Sequence, residues 1–304
     1  MAKKILILGG SGFLGSNLGG FLSRHGYEVY SFDLDFPMDR IDGIHYVKGD
    51  FFDISDLEQA VSDMDGIVHA ISTIHPGNSN QAYMRGYEKD FLQTLKLCNM
   101  LIGKNVKMLF LSSGGTVYGD CGILPIDETV LPRPINHYGN LKLCMEHAMR
   151  TFNYQFHTRI IVARISNPYG PGQDFRKGVG FIDAALKHAI TNTPIEIWGD
   201  GENIRDYIYV KDVCRMLSLL IEYQGEYDTF HVSSGTGITQ NGIIEKMRNM
   251  GLNPKVIYRD SRSVDVKHIV LDNTRIMNLY KKKLTSLDDG LTSYYQFIKT
   301  RFIG

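Results

Sequence analysis

The stretch Ile5-Leu6-Ile7-Leu8-Gly9-Gly10-Ser11-Gly12-Phe13-Leu14-Gly15 decides how this 304-residue chain is read. A short aliphatic run makes a buried strand, glycines crowd the next positions, and a helical pattern takes over from Gly15 to His25. The glycines satisfy two registers, G-x-x-G-x-x-G from Gly9 and G-x-G-x-x-G from Gly10. Either way, missing Cβ atoms let the backbone approach a pyrophosphate, whose charge sits at the N-terminus of the following helix. A glycine pattern alone is weak. The flanking strand and helix strengthen it, as does an acid at the end of the second strand, Asp33 in Val29-Tyr30-Ser31-Phe32-Asp33. A carboxylate there accepts from ribose hydroxyls and repels a 2′-phosphate, so the expected cofactor is NAD.

Outward from this turn, the first half alternates strands with helices. The strands are Lys4–Leu8, Glu28–Phe32, Ile44–Val47, Gly66–Ala70, Met108–Ser112 and Arg159–Arg164. The helical patterns are Gly15–His25, Ile54–Ser62, Tyr87–Ile102 and Tyr138–Phe152. Such alternation predicts an α/β fold with a doubly wound parallel sheet covered on both faces. Gly/Pro loops punctuate the second half at 167–172 and 198–201, and a strand–helix–strand portion, Asp206–Ser233, is expected to rejoin the first sheet. No linker separates the lobes, which are expected to interweave.

With 33 basic and 33 acidic residues the formal net charge is zero, which argues against nucleic acid or an anionic membrane as partner. Cys98, Cys121, Cys144 and Cys214 form no C-x-x-C pair and read as idle thiols in a reducing compartment. Neither a signal peptide nor a run near the ~18 apolar residues that span a bilayer is visible, so a soluble cytoplasmic protein is expected. The histidines lack metal spacing. His69 and His137 read as packing or solvent-facing residues, and no metal is assigned.

Tyr138 and Lys142, at i and i+4, share one helix face. A phenol with a reference pKa of ~10 is a poor base at neutral pH, and each unit of depression takes about 1.4 kcal/mol. The ammonium and a cationic nicotinamide are expected to supply it. An exposed Tyr/Lys pair is common by chance, so this pair gains its meaning from the glycine turn upstream.

At this point the chain resembles the extended short-chain dehydrogenase/reductases, and among them the nucleotide-sugar epimerases and dehydratases. The resemblance runs nearly end to end. It rests on Gly9–Gly15, Asp33, Gly49-Asp50-Phe51, Ser112-Ser113-Gly114-Gly115-Thr116-Val117-Tyr118-Gly119, Tyr138-x-x-x-Lys142, Asn167-Pro168-Tyr169-Gly170, Gly199–Asp206 and Arg262-x-x-Asp265. It implies a Rossmann domain over 1–166 and 207–233, and a smaller mixed α/β lobe that binds a nucleotide sugar over 167–206 and 234–304. The implied cofactor contacts are Gly9, Gly12, Phe13, Leu14, Gly15, Asp33, Asp50, Phe51, Ala70, Ile71, Ser72, Tyr138 and Lys142. On the substrate side it implies Asn167, with Arg205 and Arg262 clamping the diphosphate. Trp198 would lie beside the base, against the rival reading of a core aromatic. Asp265 would lie near the ribose, against the rival of a surface ion pair. A homodimer through the helices Tyr87–Ile102 and Tyr138–Phe152 is also implied.

Departures from the family pattern sharpen the reading. The usual Ser or Thr three positions before Val-Tyr-Gly is replaced by Gly114. Thr116 is favoured as the substitute hydroxyl, because i and i+2 face one side of extended backbone; Ser113 would point away unless the chain bulges. Gly115 and Thr116 stand where dehydratases carry Asp-Glu, which argues against a 4,6-dehydratase. Leu8 replaces a Thr, Leu92 stands where an Asn contacts the cofactor, and Val179 stands where an Asn holds the diphosphate. Ile269 occupies the position that gates the sugar's C2 substituent, where a small side chain leaves room for an N-acetyl group. The expected activity is that of an NAD-dependent 4-epimerase of a UDP-hexose or UDP-N-acetylhexosamine, and the expected partner is a nucleotide-sugar substrate, a UDP- or dTDP-hexose. The alternative is a reductase of a nucleotide-linked 4-keto-6-deoxy sugar. A non-catalytic dinucleotide sensor is disfavoured because both Tyr138 and Lys142 are present.

Overall fold

The structure, a computed structural model, describes residues 2–173, 180–261 and 266–302. The first half runs β1 (Lys4–Leu8), α1 (Phe13–Arg24), β2 (Glu28–Asp33), β3 (Ile44–Lys48), α2 (Ile54–Val61), β4 (Gly66–His69) and α3 (Ser79–Arg85). A π-helical stretch, Gly86–Phe91, leads into α4 (Leu92–Met100), then β5 (Lys107–Ser113), α5 (His137–Phe156) and β6 (Arg159–Ile165). The second half runs β7 (Asn167–Tyr169), α6 (Phe181–Ile190), β8 (Pro194–Trp198), β9 (Ile204–Tyr209), α7 (Val210–Glu222), β10 (Thr229–Val232) and β11 (Gly237–Thr239). It closes with α8 (Gln240–Asn249), β12 (Lys255–Arg259), β13 (His268–Ile269), α9 (Thr274–Tyr280) and α10 (Leu287–Phe302).

Seven parallel strands form one sheet in the order β10-β6-β5-β4-β1-β2-β3. This is the doubly wound α/β Rossmann sheet. Its interior strand β1 carries Leu6, Ile7 and Leu8 at zero exposure, because both faces of a parallel sheet are covered. Ile5 and Ile7 face a core shared with α1 and α7, while Leu6 and Leu8 face the core under α2, α4 and α5. The order reverses between β1 and β4, and the C-terminal ends there open a crevice.

The Asp206–Ser233 portion divides between sheets. β10 joins the edge of the large sheet, whereas β9 pairs with β7, β11 and β13 in a smaller one. Asp206, on β9, explains why that strand stays there. Its fully buried carboxylate accepts from Ser166 Oγ at 3.1 Å, Ser234 N at 2.9 Å, Ser234 Oγ at 2.8 Å and Gly235 N at 3.1 Å. A further parallel pair, β8 and β12, packs with α6 and α8 around Ile195, Ile197, Ile243 and Met247. Among the described residues no helix is long and apolar enough to cross a membrane.

Candidate active site

The glycine turn is built from backbone. Gly9 takes φ +86°, and a Cβ on Gly15 would stand 2.2 Å from Gly9 O and 2.9 Å from Gly10 Cα. Gly12 is the N-cap of α1 with no side-chain cap, so the helix's first N–H groups face the crevice without a local acceptor. Asp33 closes the turn from β2, accepting from Ser11 N at 3.0 Å and Leu34 N at 2.8 Å. A cradle closed to any Cβ, a bare helix N-terminus and an acid beside them fit the pyrophosphate and ribose of NAD.

The crevice continues as a cavity of about 1070 Å3. Gly9, Gly12, Phe13, Leu14, Gly15, Ala70 and Ser72 line its cofactor end. Ser113, Thr116, Tyr138 and Lys142 line the middle, and Asn167, Trp198 and Arg205 the far end. Asp33, Asp50, Phe51 and Ile71 are not among the residues that line the cavity. Asp50 Oδ1 accepts from Phe52 N at 2.9 Å, Phe51 is 3% exposed and packs against His69, and Ile71 Cγ1 lies 3.1 Å from where a Gly9 Cβ would be. Arg262, Asp265 and Val179 lie outside the described residues.

Tyr138 and Lys142 project from the first turns of α5, whose N-cap Asn136 accepts from Gly139 N at 2.8 Å. Lys142, 3% exposed, donates to Leu111 O at 3.0 Å, with its Nζ 5.8 Å from the Tyr138 ring centre. Burial pushes this lysine down to about 8, against the opposing pull of Asp90 and Glu146. Burial pushes the Tyr138 phenol up to about 12, and Asp90 acts the same way. The depression expected from Lys142 is therefore not supplied by the protein's own groups, where desolvation dominates. The cationic nicotinamide remains as the source of positive charge.

The segment after β5 departs from the extended backbone expected of it. Gly114 N donates to Ile165 O at 2.8 Å, then Thr116 N and Val117 N both turn back to Ser113 O at 3.4 and 3.2 Å. The turn puts Ser113 and Thr116 together on the cavity wall, and Thr116 Oγ1 is buried with no hydrogen-bond partner. A Cβ on Gly114 would stand 2.4 Å from Leu271 Cδ1, so Leu271 fills the space where a side chain at 114 would begin.

One further expectation is corrected, and the departure at Leu92 is placed. Ile269 does not reach the cavity: at zero exposure it packs with Val117, Tyr118 and Leu271, and Val266 lines the wall instead. Leu92 is 52% exposed and away from the site, because the π-helical stretch turns Asp90 inward. Asp90 Oδ2 accepts from Thr73 N at 2.7 Å and Ser72 Oγ at 3.1 Å, while its Oδ1 is buried without a partner. Of the two singled-out histidines, His69 is held by Thr94 Oγ1 at 2.9 Å, and His137 stacks on Tyr83 at 4.4 Å. Among the described residues no cluster of three metal-ligating side chains occurs.

Residues 5–233 match the NAD dependent epimerase/dehydratase family. The chain belongs to that family. It is an NAD-dependent enzyme, and the relatives it matches over nearly their whole length are epimerases and reductases of nucleotide sugars. One, the dTDP-4-dehydro-6-deoxyglucose reductase of Escherichia coli, is 30% identical over 98% of both chains. Another, a putative UDP-glucose 4-epimerase of Methanocaldococcus jannaschii, is 27% identical over 97% of this chain and 98% of its own. The UDP-glucose 4-epimerase of Thermotoga maritima, solved with UDP-glucose, superposes with a TM-score of 0.90. It is 27% identical, covering 98% of this chain and 99% of that one.

Sequence reasoning missed several wall residues of this epimerase/dehydratase, among them His75, Asn80, Gln81 and Gln240. They come from loops and helix starts whose approach to the site only the tertiary fold creates. Glu146 was findable, because it continues the 138/142 spacing by one more turn.

Proposed function

We propose that this enzyme is a nucleotide-sugar 4-epimerase acting on a UDP-hexose, plain or N-acetylated. One observation carries the reading: Tyr138 and Lys142 open onto the same cavity as the glycine turn, with Arg205 and Trp198 at its other end. NAD, when bound, accepts a hydride from the sugar's C4 and returns it. Tyr138 Oη takes the proton of the 4-hydroxyl as that hydride leaves, giving a 4-keto sugar. After the sugar presents its other face, Tyr138 gives the proton back. Lys142 would hold the nicotinamide ribose, and the cationic nicotinamide would favour the phenolate. Thr116, with its partnerless Oγ1, or Ser113 beside it, orients the migrating proton.

The remaining assignments extend the same reading. Asp33, Asp50, Phe51 and Ile71 frame the adenosine half. Asn167, Trp198 and Arg205 hold the nucleotide sugar, with Arg262 and Asp265 from the same lobe. Arg205 Nη1 donates to Ile204 O at 2.9 Å and Lys267 O at 3.0 Å, and Nη2 donates to Val266 O, so backbone carbonyls hold both tips of its fork in place at the cavity wall. Residues 1–166 and 207–233 make up the cofactor lobe and 167–206 and 234–304 the substrate lobe, except that β9 (204–209) pairs within the smaller sheet and Ile276 and Tyr280 of α9 pack into the large-sheet core. The enzyme works in the cytoplasm as a homodimer through α4 and α5, whose exposed flank includes Leu92.

A reductase of a nucleotide-linked 4-keto-6-deoxy sugar is the second reading, favoured by the 30% identity to such an enzyme and by the filled space at Gly114. It would use Tyr138 as acid and consume reduced cofactor each turnover. Denaturing the purified protein and identifying the released dinucleotide separates the two. Near-stoichiometric NAD or NADH, with interconversion of UDP-glucose and UDP-galactose or their N-acetyl forms, supports the epimerase. An unloaded protein that oxidises added NAD(P)H only with 4-keto sugars replaces it with the reductase. In either case Tyr138→Phe is expected to lower kcat by about a thousandfold with bound NAD retained; an active variant overturns the assignment of Tyr138.

A further inference from the structure

Behind the Tyr138/Lys142 face lies a buried polar chain that no step above uses. Glu146, one turn beyond Lys142, has a side chain with no exposure, and that of Arg164 on β6 has 3%. Arg164 donates to Glu146 Oε2 from Nε at 3.0 Å and from Nη2 at 2.6 Å, while Ser112 Oγ donates to Glu146 Oε1. Arg164 Nη1 donates to the Tyr118 hydroxyl at 2.5 Å. His231 Nδ1 lies 2.9 Å from Asp272 O, which can only accept, so that nitrogen carries the proton and Nε2 accepts from Tyr118 at 2.6 Å. The donors thus run one way, from Arg164 through Tyr118 and His231 to Asp272 O. None of Glu146, Arg164, Tyr118 or His231 lines the cavity.

Burying such a pair adds little stability over an apolar pair of the same shape. What it adds is geometry, because the guanidinium fork admits one orientation of the carboxylate. The clamp ends at Ser112, between Leu111, whose carbonyl holds Lys142 Nζ, and Ser113 on the cavity wall.

We propose that Glu146 is a positioning residue for the catalytic pair: gripped by Arg164 and Ser112, it fixes the third turn of α5 against the ends of β5 and β6, and so sets where Tyr138 and Lys142 meet the cavity. Tyr118 and His231 hold the arginine in turn. The inference rests on Tyr138 and Lys142 being the acid–base pair. The groups that face Lys142 are Asp90 from the π-helical stretch, Tyr138 and Glu146 from α5, His69 from β4 and the Phe110 ring from β5. The Glu146 carboxylate favours the Lys142 ammonium, so removing its charge lets Lys142 give up its proton at lower pH.

The test is Glu146→Gln in the NAD-loaded enzyme, with two readouts beyond folding. The first is kcat against KM. We expect kcat to fall about tenfold, with KM changed less than about twofold, since no substrate contact is lost. The second needs no sugar: the rate of NAD loss from the holoenzyme against pH. Loss accelerates as Lys142 deprotonates, and in the variant the acceleration begins about one pH unit lower. Should Glu146→Gln not fold, Tyr118→Phe leaves the ion pair intact and removes one hydroxyl outside the cavity; we expect kcat to fall several-fold at unchanged KM. A folded variant with wild-type kcat and an unshifted onset of NAD loss, whatever its melting temperature, overturns the proposal. A shifted onset in a protein that turns over no nucleotide sugar supports the coupling of Glu146 to Lys142 and sinks the 4-epimerase instead.

Discussion

Two glycine turns stand at the ends of parallel strands in this molecule, Gly9–Gly15 after β1 and Gly114–Gly115 after β5, and their glycines are there for different reasons. A Cβ on Gly15 would strike backbone, Gly9 O at 2.2 Å and Gly10 Cα at 2.9 Å. A Cβ on Gly114 would strike first the end of a side chain, Leu271 Cδ1 at 2.4 Å, with Arg164 O at 3.2 Å behind it. The first turn leaves no room because its own main chain must close around a phosphate. The second lacks room because of a residue more than 150 positions away in sequence, since 271 − 114 = 157. The first can be read from a short motif and the second cannot.

The sharpest way to break this contrast is Gly15→Ala. With backbone on both sides nothing can yield, and we expect a loss of about 3 kcal/mol in stability, together with loss of co-purifying NAD. Thermal melting and the dinucleotide content after denaturation read both. A variant that keeps its NAD would make this turn as tolerant as the other.

The wall between the turns carries a cost of a different kind, the buried Lys142. Its pKa falls from 10.5 to about 8 on folding. The unfolded chain therefore binds more protons between those values, and stability rises with pH across that window. Below pH 8 the full penalty applies, on the order of 3 kcal/mol, less about 1 kcal/mol for the bond to Leu111 O. Lys142→Met should thus be inactive yet more stable than wild type at neutral pH, by about 2 kcal/mol. The advantage should shrink as pH rises from 8 to 10. Denaturant melts at several pH values check the sign, and a variant less stable at pH 7 would show that the ammonium is held favourably.

At the second turn, Gly114→Ser should cost about 1–2 kcal/mol, because Leu271 must move. In the background of Leu271→Ala the same serine should cost less, giving a favourable coupling of about 1 kcal/mol in a double-mutant cycle. Additive effects would mean that Arg164 O, and not Leu271, excludes the side chain. In that event the two turns would be alike after all.

The contrast also explains what was legible in the sequence. The large sheet followed from aliphatic runs and glycine punctuation, since strands buried on both faces need continuous apolar residues. Tyr138, Lys142 and the turn at Gly9–Gly15 followed from local spacing. The gate assignment at Ile269 and the register that set Leu92 at a cofactor-contacting position were carried by alignment alone, and tertiary structure decides both. A π-helical stretch advances the helix register, which brings Asp90 inward and leaves Leu92 outside. Ile269 faces a small satellite core under the 114–119 turn. β9 could not be assigned from its own residues either, because its place in the smaller sheet depends on what Asp206 binds from Ser166, Ser234 and Gly235.

The smallest expected effect concerns the hydroxyls that the second turn gathers. Ser113 and Thr116 both reach the cavity because the chain turns at Gly114 and Gly115, so exposure does not choose between them. Hydrogen bonding does favour one: Thr116 Oγ1 is buried and unpartnered, a state that costs free energy until a ligand hydroxyl meets it. Thr116→Val keeps the shape and removes that cost, so the melting temperature should hold or rise slightly. If the hydroxyl orients the migrating proton, kcat should nonetheless fall about tenfold, which corresponds to about 1.4 kcal/mol. Ser113→Ala is then expected to stay near wild type. The reverse pattern would hand the role to Ser113. It would mean that the orphaned threonine oxygen serves binding, which a raised KM in Thr116→Val would register.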